Sequence, residues 1–314
     1  MNEHAVRRIT FWQGALARPP EQRIGVAPPE LVEYVRLDNI AHGYPNRPQA
    51  VPVAPDFLQD FQDAFAELPD AFKRRLAGKL AGIYFMQDLG GSGYTDSVWD
   101  AHGNPVAGFT VFDPAVLDKS ANDWATWKEN TPFKPQAGYR LNAQIEDAHH
   151  DNRKSAIQYI LLHELSHVMA IGEKIHPDWG TPAKSVLAPE SYPYFSQSWV
   201  ASRGTDGFES IFDAEFPQRK EVVYYFGAKL PADTMADIYD HLERTNFPTL
   251  YATNNYTDDF AEAMTNYVHV VMLNKPFRIT ITRDGRAVKV YGSCWTQARC
   301  REKRKILEQF LAGP

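Results

Sequence analysis

His163-Glu164-Leu165-Ser166-His167 is the stretch whose residue types and spacing best suit metal chemistry. On an α-helix, residues four apart share a face, so the two imidazoles converge on one ion. Neutral imidazole is a preferred zinc ligand, and two of them supply half of a tetrahedral shell. Glu164, one position on, points beside that face. There it can take a proton from a water that zinc has acidified toward a pKa of about 7. The competing reading is a core helix carrying two ordinary histidines. The flanking Ile157, Ile160, Leu161, Leu162, Val168 and Met169 make burial expected. Buried without an ion, two histidines and a glutamate would each demand hydrogen-bond partners, which favours the metal reading.

A catalytic zinc takes a third protein ligand and keeps one position for water. One kind of site places a histidine six residues on, after a glycine turn; here those positions hold Ala170 and Glu173. His149, His150, His176 and Asp178 are other nearby candidates. A better source is a second helix carrying carboxylates, YATNNYTDDFAEAMTNY at 251–267. Asp258 and Glu262 are four apart and share a face. One can bind zinc while the other receives the outer N–H of a ligand histidine. Asp258 and Asp259 also read as ordinary first-turn acids that favour the helix dipole. That reading leaves Glu262, a turn deeper beside Phe260 and Ala261, unexplained.

The elements that must carry these groups are legible in outline. A helix is expected from Asp151 to Ala170, capped by Asp151 or Asn152 and ended by Gly172. Upstream, GIYFMQDL reads as a strand and GGSGYTD as a mobile loop, since no Gly-Lys-Ser/Thr follows to make it a phosphate loop. SVWDAHGNPVAGFTVFD reads as two strands around an HGNP turn. Its VAGFTVFD half is a candidate edge strand for an extended peptide, against the commoner reading of a core strand. Helical periodicity at 57–81 breaks at Pro69. Further helices are expected over 231–245, from near Thr257, and over 296–311. FRITITRDGRAVKVY is a hairpin turning at Asp284-Gly285. Residues 1–56 are proline-rich and read as an extended N-terminal segment, ahead of a catalytic domain at 57–314 with subdomains 57–172 and 173–314. The pattern is α+β without regular βα alternation.

Composition sets outer limits. With 314 residues, 44% hydrophobic and 23% charged, the chain reads as globular with ample core. A net charge of −6 argues against a dedicated nucleic-acid binder. No apolar run reaches the roughly 18 residues of a membrane span. The first residues lack the apolar core of a leader, so the expectation is a cytoplasmic protein, or a secreted or periplasmic one whose leader has been removed. Cys294 and Cys300 cannot bond inside one helix, where six residues at about 1.5 Å rise separate them by roughly 9 Å. A disulfide requires Cys294 to precede the helix.

HELSH together with a downstream Tyr-x6-acid-x2-Ala-Glu resembles the gluzincin zinc metallopeptidases, in particular the catalytic domain of anthrax lethal factor and bacterial proteins with an EDFAE segment. The resemblance rests on residues 157–170 and 249–267. It implies a zincin-like fold, with a mixed sheet packed on the HExxH helix and a mainly helical C-terminal part. It also implies zinc held by His163 and His167, Glu164 as general base, and Tyr251 stabilising the oxyanion, with Tyr256 as the alternative. Asp258 falls at the ligand position and Glu262 at that of the supporting acid. Asp258 is one methylene shorter than the family's glutamate. Either its helix sits closer to the metal, or Glu262 becomes the ligand with Asn266 behind it. The function expected is zinc-dependent cleavage of a peptide or protein substrate. The alternatives are a non-catalytic zinc-containing binding or regulatory protein, and a hydrolase of a non-protein amide.

Overall fold

Leu80–Gln87 is apolar at almost every position because it becomes a strand covered on both faces, next to Pro105–Phe112, in the computed structural model, which describes residues 3–202 and 204–313. In chain order the first elements are α1 (Ile9–Leu16), β1 (Ile24–Val26), α2 (Pro29–Ala41), β2 (Gln49–Ala50), α3 (Pro55–Ala66) and α4 (Asp70–Leu76). Then come β3 (Leu80–Gln87), β4 (Gly93–Trp99), β5 (Pro105–Phe112), α5 (Ala121–Asn130), β6 (Phe133–Lys134), β7 (Tyr139–Gln144) and α6 (Arg153–Ala170). The architecture is mixed α+β, divided into two compact units.

Unit 1 comprises residues up to Lys119 together with Arg153–Glu173. Its sheet runs β1-β3-β5-β4, with β2 also pairing to β3. β1, β3 and β5 are mutually parallel, and β4 runs antiparallel to β5 as an edge strand. The VAGFTVFD strand is therefore internal, and the edge belongs to the GYTDSVW strand before it. Residues 1–56 are not extended. Pro29 and Pro55 each open a helix, where proline's missing N–H is no loss. Leu31, Tyr34 and Val35 of α2 are buried against Trp12 of α1 and Phe109 of β5 in one apolar cluster.

α6 packs on β4, β5 and α3, and every residue from Ser155 to Ala170 is buried. Its apolar residues lie on all sides, as burial all round requires, and the buried polar exceptions include His163, Glu164 and His167. Close approach depends on Gly108 of β5, where a Cβ would stand 2.5 Å from Ile171 Cδ1 and 3.1 Å from the Asp96 carbonyl oxygen. The helix ends at Gly172 in the left-handed region, φ +70°. Lys79 Nζ donates to the carbonyl oxygens of Met169 (3.1 Å) and Ile171 (2.7 Å), covering orphan acceptors at that end.

Unit 2 comprises Ser120–Asn152 and residues 174 onward. Its remaining elements are β8 (Trp199–Ala201), β9 (Phe208–Ser210), β10 (Leu230–Pro231), α7 (Met235–Glu243), α8 (Tyr256–Tyr267), β11 (Arg278–Arg283), β12 (Arg286–Gly292) and α9 (Arg301–Ala312). It is less helical than expected, because β12-β11-β7 form an antiparallel sheet and β8–β9 and β6–β10 form small pairs. The hairpin turns at Asp284 and Gly285, both at positive φ as a two-residue turn requires. Asp151, one of the two residues expected to cap α6, accepts from Asn122 N (2.9 Å) at the start of α5. Cys294 and Cys300 form a disulfide with Cα atoms 5.8 Å apart, and Cys294 lies before α9 as the geometry demanded. Among the described residues no helix is long and apolar enough to cross a membrane.

Candidate active site

In unit 1 the helical spacing of His163 and His167 brings their Nε2 atoms to 3.2 Å, with ring planes 82° apart. Both side chains are buried, at 5% and 7% exposure. Two nitrogens bound to a tetrahedral zinc at about 2.0–2.1 Å stand about 3.3 Å from each other. The pair therefore fits one small divalent cation. Two imidazoles without an ion would fill the same distance with an N–H···N bond.

Glu164 lies beside the pair. Its Oε2 accepts a 2.6 Å hydrogen bond from Thr95 Oγ1, whose hydroxyl also lies 3.3 Å from the Glu164 carbonyl oxygen. Oε1 accepts no hydrogen bond among the described residues. Gly93 opens β4 directly against this side chain. A Cβ there would stand 2.6 Å from Oε1, 2.7 Å from Cγ and 2.8 Å from Cδ, so the whole carboxylate arm would have to move. The loop glycine read as a mark of mobility is thus a clearance for Glu164.

Strand alternation gives β4 a second role. Thr95 turns to α6, while Asp96 turns the other way. There it accepts from Arg7 Nη1 at 3.0 and 2.8 Å, from Tyr94 OH at 3.2 Å, and from Tyr34. Burial beside Asp96 holds the Tyr34 and Tyr94 hydroxyls well above the usual tyrosine range, so both stay protonated donors. The N-terminal helices thereby hold the strand that holds Glu164.

In unit 2, Asn255 caps α8 by accepting from Thr257 N (3.0 Å) and Asp258 N (2.9 Å), and its own amide donates to Asp258 Oδ2 at 2.7 Å. Asp258 is half-buried in the first turn. Glu262 is 1% exposed, and each oxygen is engaged: Oε1 by Lys128 Nζ at 3.0 Å, Oε2 by Thr249 Oγ1 at 2.7 Å. Asn266, considered as support for Glu262, gives its carbonyl to Trp295 Nε1 at 2.9 Å. Asp259 is no solvated dipole acid. It is fully buried and meets Lys303 Nζ at 2.6 and 2.7 Å, with Trp199 Nε1 at 3.0 Å and Tyr194 OH at 3.1 Å.

The two tyrosines differ in kind. Tyr256 donates to the Asp178 carbonyl at 3.3 Å and packs among His176, Phe195 and Phe208; burial raises its hydroxyl to about 12. Tyr251 is half-buried, with the Tyr224 ring at 4.7 Å and the Lys128 ammonium 4.5 Å from its ring centre. Burial raises Glu129, the neighbouring carboxyl, above the usual range, and its Oε2 accepts from Tyr224 and Tyr239, each at 2.9 Å. Three of the other ligand candidates meet other groups. Glu173 pairs with Lys79 (2.6 Å) and Arg75 (3.2 Å), and His176 Nδ1 lies 2.8 Å from the Pro177 carbonyl. His150 is exposed beside Asp147 at 2.9 Å.

Thr95, Gly93, Lys128 and Thr249 had no motif to announce them. Thr95 and Lys128 reach their partners across 69 and 134 residues of sequence, so only folding brings them in. Comparison with protein-family models, with curated proteins and with solved structures finds no match to this chain.

Proposed function

We propose that the chain is a zinc-dependent hydrolase of the gluzincin type, cleaving peptide bonds. The observation that carries this reading is the pair of buried Nε2 atoms 3.2 Å apart on one helix, with a carboxylate beside them held at a single oxygen by Thr95. His163 and His167 would hold the zinc. Asp258 is the third ligand we favour. Both Glu262 oxygens already accept from Lys128 and Thr249, which suits a supporting acid better than a ligand. Zinc supplies Lewis acidity at a carbonyl oxygen when bound.

The remaining work falls to the chain. Glu164 takes a proton at Oε1 from the water that attacks the peptide carbonyl. The same oxygen then delivers that proton to the amine as the C–N bond breaks. Tyr251 donates a hydrogen bond to the oxygen on which negative charge develops. The zincin-like fold belongs to the same proposal, supported by the mixed sheet with an antiparallel edge strand packed on α6.

Glu164→Gln tests the reading. It should keep stoichiometric zinc and lose cleavage of a mixed peptide library by about 100-fold or more, the scale of a general base. Cleavage at the wild-type rate would refute the mechanism.

A further inference from the structure

Lys128 is 3% exposed, and an ammonium so buried persists only where charge and hydrogen bonding compensate it. Its Nζ lies 3.0 Å from Glu262 Oε1 and 3.7 Å from Glu129 Oε1. Three rings surround it, with centres at 4.5 Å (Tyr251), 5.8 Å (Trp124) and 5.9 Å (Tyr224). The cation therefore touches two residues that the sequence had singled out independently. Resting on the zinc-peptidase reading, we propose that Lys128 is a positioning residue that fixes Glu262 and Tyr251 relative to one another.

Toward Glu262 the effect is rotational. With Lys128 on Oε1 and Thr249 on Oε2, the carboxylate plane has no other low-energy setting, so the supporting acid presents one fixed orientation. Toward Tyr251 the effect is on the ring. The ammonium sits over the π face while the Tyr224 ring meets it at 73°, so the phenol's direction is set before any substrate arrives. A buried ion pair is weak evidence for stability, since a hydrophobic pair of similar volume often stabilises as well or better. Contact with two members of one proposed site gives this pair another reason to exist.

The test is a set of variants, Lys128→Met, Lys128→Arg, Glu262→Gln and the Lys128→Met/Glu262→Gln double. Each is measured for zinc affinity by chelator competition and for thermal unfolding without metal. Lys128→Met and Glu262→Gln should each weaken zinc binding about 10–100-fold, the usual effect of losing a group behind a ligand. Lys128→Arg should recover most of that loss. On a cleaved peptide, Lys128→Met should lower kcat while KM stays within about twofold, as for a group acting on the transition state. If Lys128→Met does not fold, the double variant, which removes the Glu262 charge together with that of Lys128 and leaves Glu129 its two tyrosine hydroxyls, carries the test. Affinity equal to that of Glu262→Gln alone supports the inference, and a further tenfold loss overturns it. Wild-type zinc affinity and kcat in folded Lys128→Met overturn it as well, leaving the functional reading intact. A wild-type protein that binds no zinc overturns both.

Discussion

Thr95 Oγ1 and Glu164 Oε2 are 2.6 Å apart, joining the edge strand of the unit 1 sheet to the helix that carries HELSH. In the proposed mechanism the bond leaves Oε1 to take the proton and fixes its direction. Thr95→Val keeps the shape of the side chain and removes the donor. A hydrogen bond to a charged group is worth about 1.5–3 kcal/mol, so kcat should fall roughly 10–100-fold. Zinc content should not change, because Thr95 touches no proposed ligand. Measuring kcat/KM and bound zinc on the same samples checks both halves.

Gly93→Ala attacks the same carboxylate by volume instead of chemistry. Its new methyl would stand within 2.8 Å of three Glu164 side-chain atoms. The carboxylate must swing away, and we expect kcat to fall by about 100-fold, the contribution of a general base. Far-UV circular dichroism should be unchanged. Full activity in Gly93→Ala would show that Glu164 does not work from this position.

Asp259 and Lys303 form a wholly buried pair that ties α9 to α8. Burial pushes the Asp259 carboxyl up and Lys303 down to about 8, and their contact, with Trp199 and Tyr194 also donating to the carboxylate, offsets that cost. Lys303→Met should destabilise the protein by about 3–5 kcal/mol, because it strands a carboxylate. Adding Asp259→Asn should restore most of it while leaving an acceptor for Trp199 and Tyr194. Urea unfolding of the two variants decides the point.

His269 supplies a pH dependence of stability. Burial, with Lys275 adding to it against Glu146, lowers its pKa from 6.5 to about 4, and Nε2 contacts the carbonyls of Ile145 (2.8 Å) and Pro276 (3.0 Å). The unfolded chain therefore takes a proton between those values while the folded chain does not. Its contribution is fully present above pH 6.5 and is lost as pH falls toward 4. The loss is about 3 kcal/mol over that window, at 1.36 kcal/mol per unit. His269→Gln keeps an N–H donor and should flatten this part of the slope. Urea midpoints at pH 7 and pH 4.5 for both proteins provide the check.

The disulfide offers a simpler test. It closes a loop of about seven residues, for which chain entropy alone predicts a stabilisation of about 2 kcal/mol. Cys294→Ser/Cys300→Ser should lower the free energy of unfolding by about that much and leave zinc binding intact, which calorimetry with metal analysis would show.

Local sequence was enough wherever one element supplies both partners of an interaction. Helical periodicity placed His163 and His167 on one face, and Gly172 marked the end of their helix, because spacing and backbone freedom act over a few residues. The Asp284-Gly285 turn and the condition on the disulfide were legible for the same reason. Proline misled where it was counted rather than placed, since Pro29 and Pro55 begin helices inside the segment read as extended. What tertiary structure decided are relations between distant segments. It put VAGFTVFD inside the sheet and GYTDSVW at its edge, set Thr95 and Gly93 against Glu164, and gave Glu262 to Lys128 and Asp259 to Lys303. No periodicity encodes those pairings. They follow from which faces must be buried together, and that free energy belongs to the folded chain as a whole.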